Sequence, residues 1–262
     1  MSSLVVNRRT ALLFLGSGTG AILMSACGGN ASNTESSASP LASSSSASST
    51  SSSETPSSAS PSASPSRRNS FQRGFNVELN NADMEYTGEG YMYSTREKQG
   101  YGWPHPKRPQ EMSENSELGL YYSWAYASAG ISYAMKTGDD TYIKQSGMTE
   151  GDQKLFKSIA LLEETREGKY WEESGNFVYR LESDHPEKKG EEYSWPYQLQ
   201  MFHGDFYVRN GEVHEIPENT DGWGKIVYST GALKARYLDG AWQMEGFFEG
   251  IATNVVGKPF DK

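Results

Sequence analysis

Cysteine is almost missing from this sequence: Cys27 is the only one in 262 residues. A single thiol excludes an intrachain disulfide and any zinc site built from several cysteines. Long hydrophobic runs are missing too. The apolar stretch at 11–24 is broken by Gly16-Ser17-Gly18-Thr19-Gly20 and falls short of the roughly 20 residues that a membrane-spanning helix needs. Positive charge is in deficit, with 24 Lys and Arg against 33 Asp and Glu and a net charge of −9. An acidic surface repels phosphate backbones, which argues against a nucleic-acid partner.

What is present near the N-terminus accounts for the lone cysteine. Asn7-Arg8-Arg9 supplies a positive n-region, and 11–24 fits the h-region of a secretory signal. Leu23-Met24-Ser25-Ala26-Cys27 resembles a bacterial lipobox, which implies cleavage before Cys27 and acylation of its thiol. We therefore expect residues 1–26 to be a lipoprotein signal peptide and Cys27 to be the lipidation site. An unpaired cysteine in an exported chain otherwise lacks a role. Arg8-Arg9 also fits a twin-arginine signal, so the export route stays open. Losing Arg8 and Arg9 with residues 1–26 takes the side-chain charge from −9 to −11. Attachment to the lipid bilayer then falls to the acyl chains, with the domain extracytoplasmic.

Residues 27–70 are mostly Ser, Ala, Pro and Thr. Such a segment cannot bury enough surface to offset its ordering entropy, and we expect a disordered linker. As a flexible coil it reaches about 35 Å on average, and about 140 Å fully extended. Residues 71–112 form a different stretch, with Phe71, Phe75, Tyr86, Tyr91, Tyr93, Tyr101 and Trp103 among glycines and polar residues. No period is sustained, which predicts an irregular arm. Two readings are open: an arm that covers the domain, which the tendency of aromatics to bury favours, and an aromatic ligand-binding strip.

The spacing of residues 113–252 predicts an α+β domain, with 253–262 as a tail. Ser116 or Asn115 caps a helix that carries no charge over 118–135 and ends at Gly138. A helix uncharged all round is buried on most sides. Ser123, Ala127, Gly130 and Ala134 give it a face of small residues for close backbone approach. A second helix runs from Thr149 through Leu155, Phe156, Ile159 and Leu162, stopping by Gly168. The period then changes to 2. Strands are expected at 177–181, at 192–202 with Pro196 marking an edge or bulge, and at 225–229. Asn210-Gly211 closes a hairpin over 205–216 that sets Phe206 opposite Glu215, Tyr207 opposite His214, and Val208 opposite Val213. Asp239-Gly240 closes another over 233–247 that pairs Tyr237 with Trp242, Ala235 with Met244, and Lys234 with Glu245.

Arg108-Pro109, Met112, Glu114-Asn115-Ser116-Glu117, Tyr122, Trp124, Tyr126, Tyr133-Ala134 and Thr137-Gly138-Asp139 resemble the opening of a domain of unknown function in actinobacterial lipoproteins. The ending Leu238-Asp239-Gly240-Ala241-Trp242 is similar to that family's last hairpin. The resemblance spans roughly 106–250 and implies a curved antiparallel sheet wrapped round helices, the NTF2/SnoaL-like cone. It also implies export and lipid anchoring. Members often carry two close cysteines after the Gly-Asp turn; this chain has Ser146-Gly147-Met148-Thr149-Glu150 there. No activity comes with the resemblance.

Two functional classes follow. In the first, the domain is a non-catalytic envelope lipoprotein that binds a protein, a glycan or a small ligand. In the second, it is a SnoaL/ketosteroid-isomerase-like enzyme with a pocket in the cone. For the second, the Asn210-Gly211 hairpin puts His203, Asp205, Tyr207 and His214 on one side, a set suited to acid/base work or metal ligation. Against it, Phe206, Val208 and Val213 make the better core face, which sends that polar set to solvent. Asp139-Asp140 and Glu163-Glu164 read as solvated or helix-end charge. No catalytic residue, metal site or cofactor is assigned, and the first class is the expectation.

Overall fold

The computed structural model describes residues 70–88, 90–218 and 224–252. The expected signal peptide, Cys27, the expected linker up to residue 69 and the expected tail at 253–262 lie outside them.

The centre is helix α1, Glu117–Thr137. Ser116 sits in extended conformation, and its hydroxyl accepts the N–H of Gly119 at 3.0 Å. Gly138 ends the helix with φ 75°, donating its N–H to Ala134 at 2.8 Å. Leu120, Trp124, Ala125, Ala127, Ile131 and Ala134 are fully enclosed, as an uncharged helix requires. The small-residue face does what its composition predicts. A Cβ on Gly130 would come within 3.1 Å of Tyr142 Cβ, so glycine lets helix α2, Thr141–Lys144, lie against α1.

Helices α3, Glu150–Ile159, and α4, Leu162–Arg166, replace the single helix expected from Thr149. Ala160 breaks it in extended conformation, φ −97° and ψ 125°. The break lets Leu162 turn inward while Ile159, at helical spacing from Phe156, is exposed. Thr149 occupies the N-cap position but its side chain makes no capping bond.

A six-stranded antiparallel sheet packs on α1. Its strands are β1, Asn76–Val77; β5, Asn176–Leu181; β6, Glu187–Lys189; β7, Glu192–Phe202; β10, Ile226–Leu238; and β11, Ala241–Glu245. The spatial order is β1-β5-β7-β10-β11, with β6 continuing β5's side of β7. Alternate residues face the helices: Phe177, Tyr179 and Leu181, then Trp195, Tyr197 and Leu199, then Leu233 and Ala235, then Trp242 and Met244. Both predicted registers are present. Tyr237 pairs with Trp242, Ala235 with Met244, and Lys234 with Glu245.

Three departures have physical causes. Pro196 lies in a central strand, not at an edge, because it falls where β7's partner changes from β5 to β6. Its carbonyl accepts from Glu182 N–H on that side at 3.0 Å. The missing N–H points the same way, so the β10 ladder loses nothing. The strand expected at 225–229 and the first arm of the last hairpin are one strand, β10. It runs through Gly231 because a Cβ there would lie 2.7 Å from the Tyr197 hydroxyl opposite. The arm, expected to be irregular, contributes β1 to the sheet edge and a short pair between β2, Met84–Glu85, and β3, His105–Pro106.

A second, three-stranded sheet joins β4, Tyr170–Glu172, to β8, Phe206–Arg209, and β9, Glu212–Glu215. The β8–β9 hairpin has the predicted register, and β4 has no counterpart in the sequence reading. Trp171, Phe206 and Val208 form its own small core, from which Val213 is excluded by exposure.

Candidate functional site

Three features could bind or react. The first is the polar face of the small sheet. Strand alternation puts Tyr170, Glu172, Tyr207, Arg209 and His214 together on it. Tyr207 and His214 stack at 4.7 Å and 14°. His203, just before β8, is buried, and its Nδ1 lies 3.0 Å from Glu172 Oε2. The Tyr170 hydroxyl donates to the other oxygen of Glu172. Burial first, and the Glu172 charge beside it, push the Tyr170 phenol far above its ordinary range, so it stays protonated. Arg209 closes the face with a two-pronged pair to Glu164 at 2.8 and 2.9 Å.

The expected quartet is therefore divided. Tyr207 and His214 are in contact. His203 is drawn inward to Glu172. Asp205 turns away to solvent and pairs with Lys225 at 2.9 Å. Sequence reasoning missed Glu172 and Tyr170 because β4 was unread. The arrangement is a buried carboxylate, Glu172, held between Tyr170 and His203, beside the stacked Tyr207–His214 pair. Among the described residues no cluster of three or more His, Cys, Asp or Glu could hold a metal ion.

The second feature is a pair of clefts where the arm crosses α1. One, about 280 Å³, is lined by Glu78, Asn80, Asn81, Tyr121 and Tyr122. The other, about 240 Å³, is floored by Ala125, Ser128 and Ser132 and walled by Val77, Met84 and Phe177. Neither is lined by His203 or by a second carboxylate beside Glu78. They offer shape and hydroxyls but no acid/base pair.

The third feature is the aromatic hairpin of the arm. Met92 and Tyr101 form an antiparallel bridge. Tyr91 and Tyr93, two apart in extended chain, share a side; their rings meet edge to face at 5.0 Å and their hydroxyls at 2.5 Å. Trp103 lies behind them, 5.5 Å from Tyr91 and 5.8 Å from Tyr93. The Lys136 ammonium sits 4.5 Å from the Trp103 ring and donates to Asn176 Oδ1. Burial lowers its pKa to about 8. The Trp103 indole N–H is buried with no partner among the described residues.

The hairpin is held around its tip. Its tip donates and accepts against the small sheet: Arg96 pairs with Glu215 at 2.9 Å and covers the Phe206 ring, and Trp171 donates to Thr95 O at 2.8 Å. Just past the tip, the Gln99 amide donates to the carbonyls of Lys136 and Thr165 at 3.2 and 3.0 Å. Within this frame the aromatics divide. Phe71 and Trp103 are buried and cover the domain; Phe71 packs 4.8 Å from Tyr121. Tyr86, Tyr91, Tyr93 and Tyr101 are exposed, by 59, 39, 66 and 40 %. Among the described residues no other aromatic is exposed. The arm covers the domain through Phe71 and Trp103 and leaves the four tyrosines at the surface.

A family profile described as "Family of unknown function (DUF6318)" matches residues 89–247. The match begins within the arm and ends after the last hairpin. No curated protein and no solved structure matches the chain.

Proposed function

The chain belongs to the DUF6318 family, whose function is unknown, and on that premise we propose that it is a non-catalytic binding domain tethered to the outer face of a membrane through acylated Cys27. The lipobox-like Leu23-Met24-Ser25-Ala26-Cys27 and the Ser/Ala/Pro/Thr stretch behind it support the anchor. Likeness at the Arg108-Pro109 and Asn115-Ser116-Glu117 motifs to actinobacterial lipoproteins points the same way. A long helix packed on an antiparallel sheet suits the NTF2/SnoaL-like cone.

The observation that carries binding is the tyrosine face. The exposed Tyr91 and Tyr93 rings, on a hairpin latched at its tip by Arg96 and Gln99, are a preorganised contact surface. Aromatic anchors held rigid bind at low entropic cost. The isomerase-like alternative needs an open interior between helix and sheet. That space holds Trp124, Tyr179, Trp195 and Tyr197, each with no measurable exposure. The hydroxyls inside it are already used: Tyr179 donates to Phe247 O at 3.1 Å and Tyr197 to Gly246 O and Phe247 O. Burial holds both phenols protonated, so neither serves as a base.

The binding half is tested with washed cell envelopes. The full chain bearing Cys27→Ala is mixed with them and sedimented. Sedimentation that Tyr91→Ala/Tyr93→Ala abolishes is expected. Equal sedimentation of both proteins would contradict a role for this face.

A further inference from the structure

We propose that the tyrosine notch of the arm hairpin takes a neutral polysaccharide, whose pyranose rings stack on Tyr91 and Tyr93. The inference rests on the binding-domain reading and names the class of its ligand. It starts from which side chains are exposed. The exposed large apolar side chains of 86–101 are phenols and one thioether, Met92. The exposed aliphatics Ile159, Val213 and Leu238 lie in other elements.

A phenol suits a sugar in two ways. Its face is apolar and electron-rich and accepts the C–H face of a pyranose, as aromatic rings accept other positively polarised groups. Its edge carries a hydroxyl that both donates and accepts, matching ring hydroxyls. Here Tyr91 and Tyr93 already bond to each other through their hydroxyls at 2.5 Å, which uses one proton and leaves acceptor and donor capacity at the rim. Their rings stand edge to face at 69°, so they form two walls of a notch with Trp103 behind, rather than one flat plate.

Charge decides between neutral and anionic polymers. Within 86–103, Arg96 and Lys98 balance Glu89 and Glu97, in a chain of net charge −9. Both cations are engaged: Arg96 is paired with Glu215, and the Lys98 ammonium lies 4.9 Å from the Tyr101 ring centre. Neither is poised for a phosphate or uronate, and the acidic remainder of the domain would repel a polyanion. A neutral glycan meets no such penalty.

The full chain bearing Cys27→Ala is titrated by calorimetry with chitohexaose, cellohexaose and mannohexaose, beside polygalacturonate. Saturable binding to at least one neutral hexasaccharide is expected, weakened at least tenfold in Tyr91→Ala/Tyr93→Ala and retained in Tyr93→Trp. Polygalacturonate should not bind, and Tyr207→Ala should leave sugar affinity unchanged. Were the double variant to unfold, Tyr93→Ala alone gives the same reading, since that ring is the most exposed of the four. No saturable binding to any neutral hexasaccharide overturns the proposal, as does binding that ignores these substitutions. If sugars fail while Tyr91→Ala/Tyr93→Ala still abolishes envelope sedimentation, the ligand is a protein and the binding-domain reading stands. If both fail, the face is not a binding surface.

Discussion

Asp152 and Gly246 are joined across the fold: Asp152 Oδ2, on α3, accepts the backbone N–H of Gly246 at 2.7 Å and that of Phe247 at 3.2 Å. The carboxylate fastens the corner after the last hairpin, the corner whose carbonyls receive the Tyr179 and Tyr197 hydroxyls. Helix, sheet corner and aromatic core therefore meet at one half-buried acid.

Burial raises the Asp152 pKa, more than the two N–H donors lower it. A carboxyl raised by folding contributes most below its unfolded range, and that contribution is lost as pH rises through the folded pKa. Asp152→Asn keeps an acceptor and removes the charge. It should be as stable as the parent or more so at pH 7, with the gap closing at pH 4. Asp152→Ala leaves two N–H groups unpaired and should cost about 1–3 kcal/mol. Urea unfolding at the two pH values measures both.

Asp140 should behave in the opposite sense. Burial alone would raise its pKa, but Lys144 at 2.8 Å and Lys157 at 3.0 Å more than offset that and hold the carboxyl below its usual range. Its contribution is present above the unfolded carboxylate range, near about 3.9, and is lost as pH falls through the folded pKa. Both lysines are about half exposed, so each pair is worth only about 0.2–1 kcal/mol. Asp140→Asn should lower stability by roughly that much at neutral pH and low salt, and by less at pH 2, as thermal melts would show.

The two ends of α1 are unequal. Ser116→Ala removes one capping bond and should cost about 1 kcal/mol. Gly138→Ala should cost more. It places a Cβ at φ 75°, where an L residue pays about 1–2 kcal/mol, and drives it into the Leu162 carbonyl. Chemical denaturation of the two variants should give that order; the reverse would mean that the α1–α4 approach is looser than described.

Gly231 and Tyr197 are coupled by space. Gly231→Ala should destabilise by about 1–3 kcal/mol through overpacking. In a Tyr197→Phe background the clash loses its hydroxyl, and the penalty of Gly231→Ala should shrink. Strict additivity in that cycle would show that the strand is free to shift instead.

These residues also mark where sequence was sufficient. Asn210-Gly211 and Asp239-Gly240 both adopt positive φ, at 52° and 82° and at 52° and 80°. Few residue pairs tolerate that, so turn and register were legible together. Ser116 and Gly138 were legible for the same reason: each meets a local backbone demand. Tyr170-Trp171-Glu172 carries no such demand. Three residues show no period, and their pairing with β8 is decided by partners more than thirty positions away. The Glu172–His203 pair went unseen with them. The break at Ala160 lacks a glycine or proline to announce it; the need to bury Leu162 makes it. Exposure of the four tyrosines runs against the ordinary burial of aromatics, and only the latches at Arg96 and Gln99 reveal it.

The tether is the premise on which envelope binding depends, and one measurement tests it most directly. The full chain is expressed in a Gram-positive host beside Cys27→Ala, and intact mass and membrane partitioning are compared. The account predicts a wild-type chain that begins at Cys27, carries a diacylglyceryl increment and stays with the membrane, while Cys27→Ala loses the increment and is released to the medium. A wild type that is unlipidated and freely secreted would contradict it.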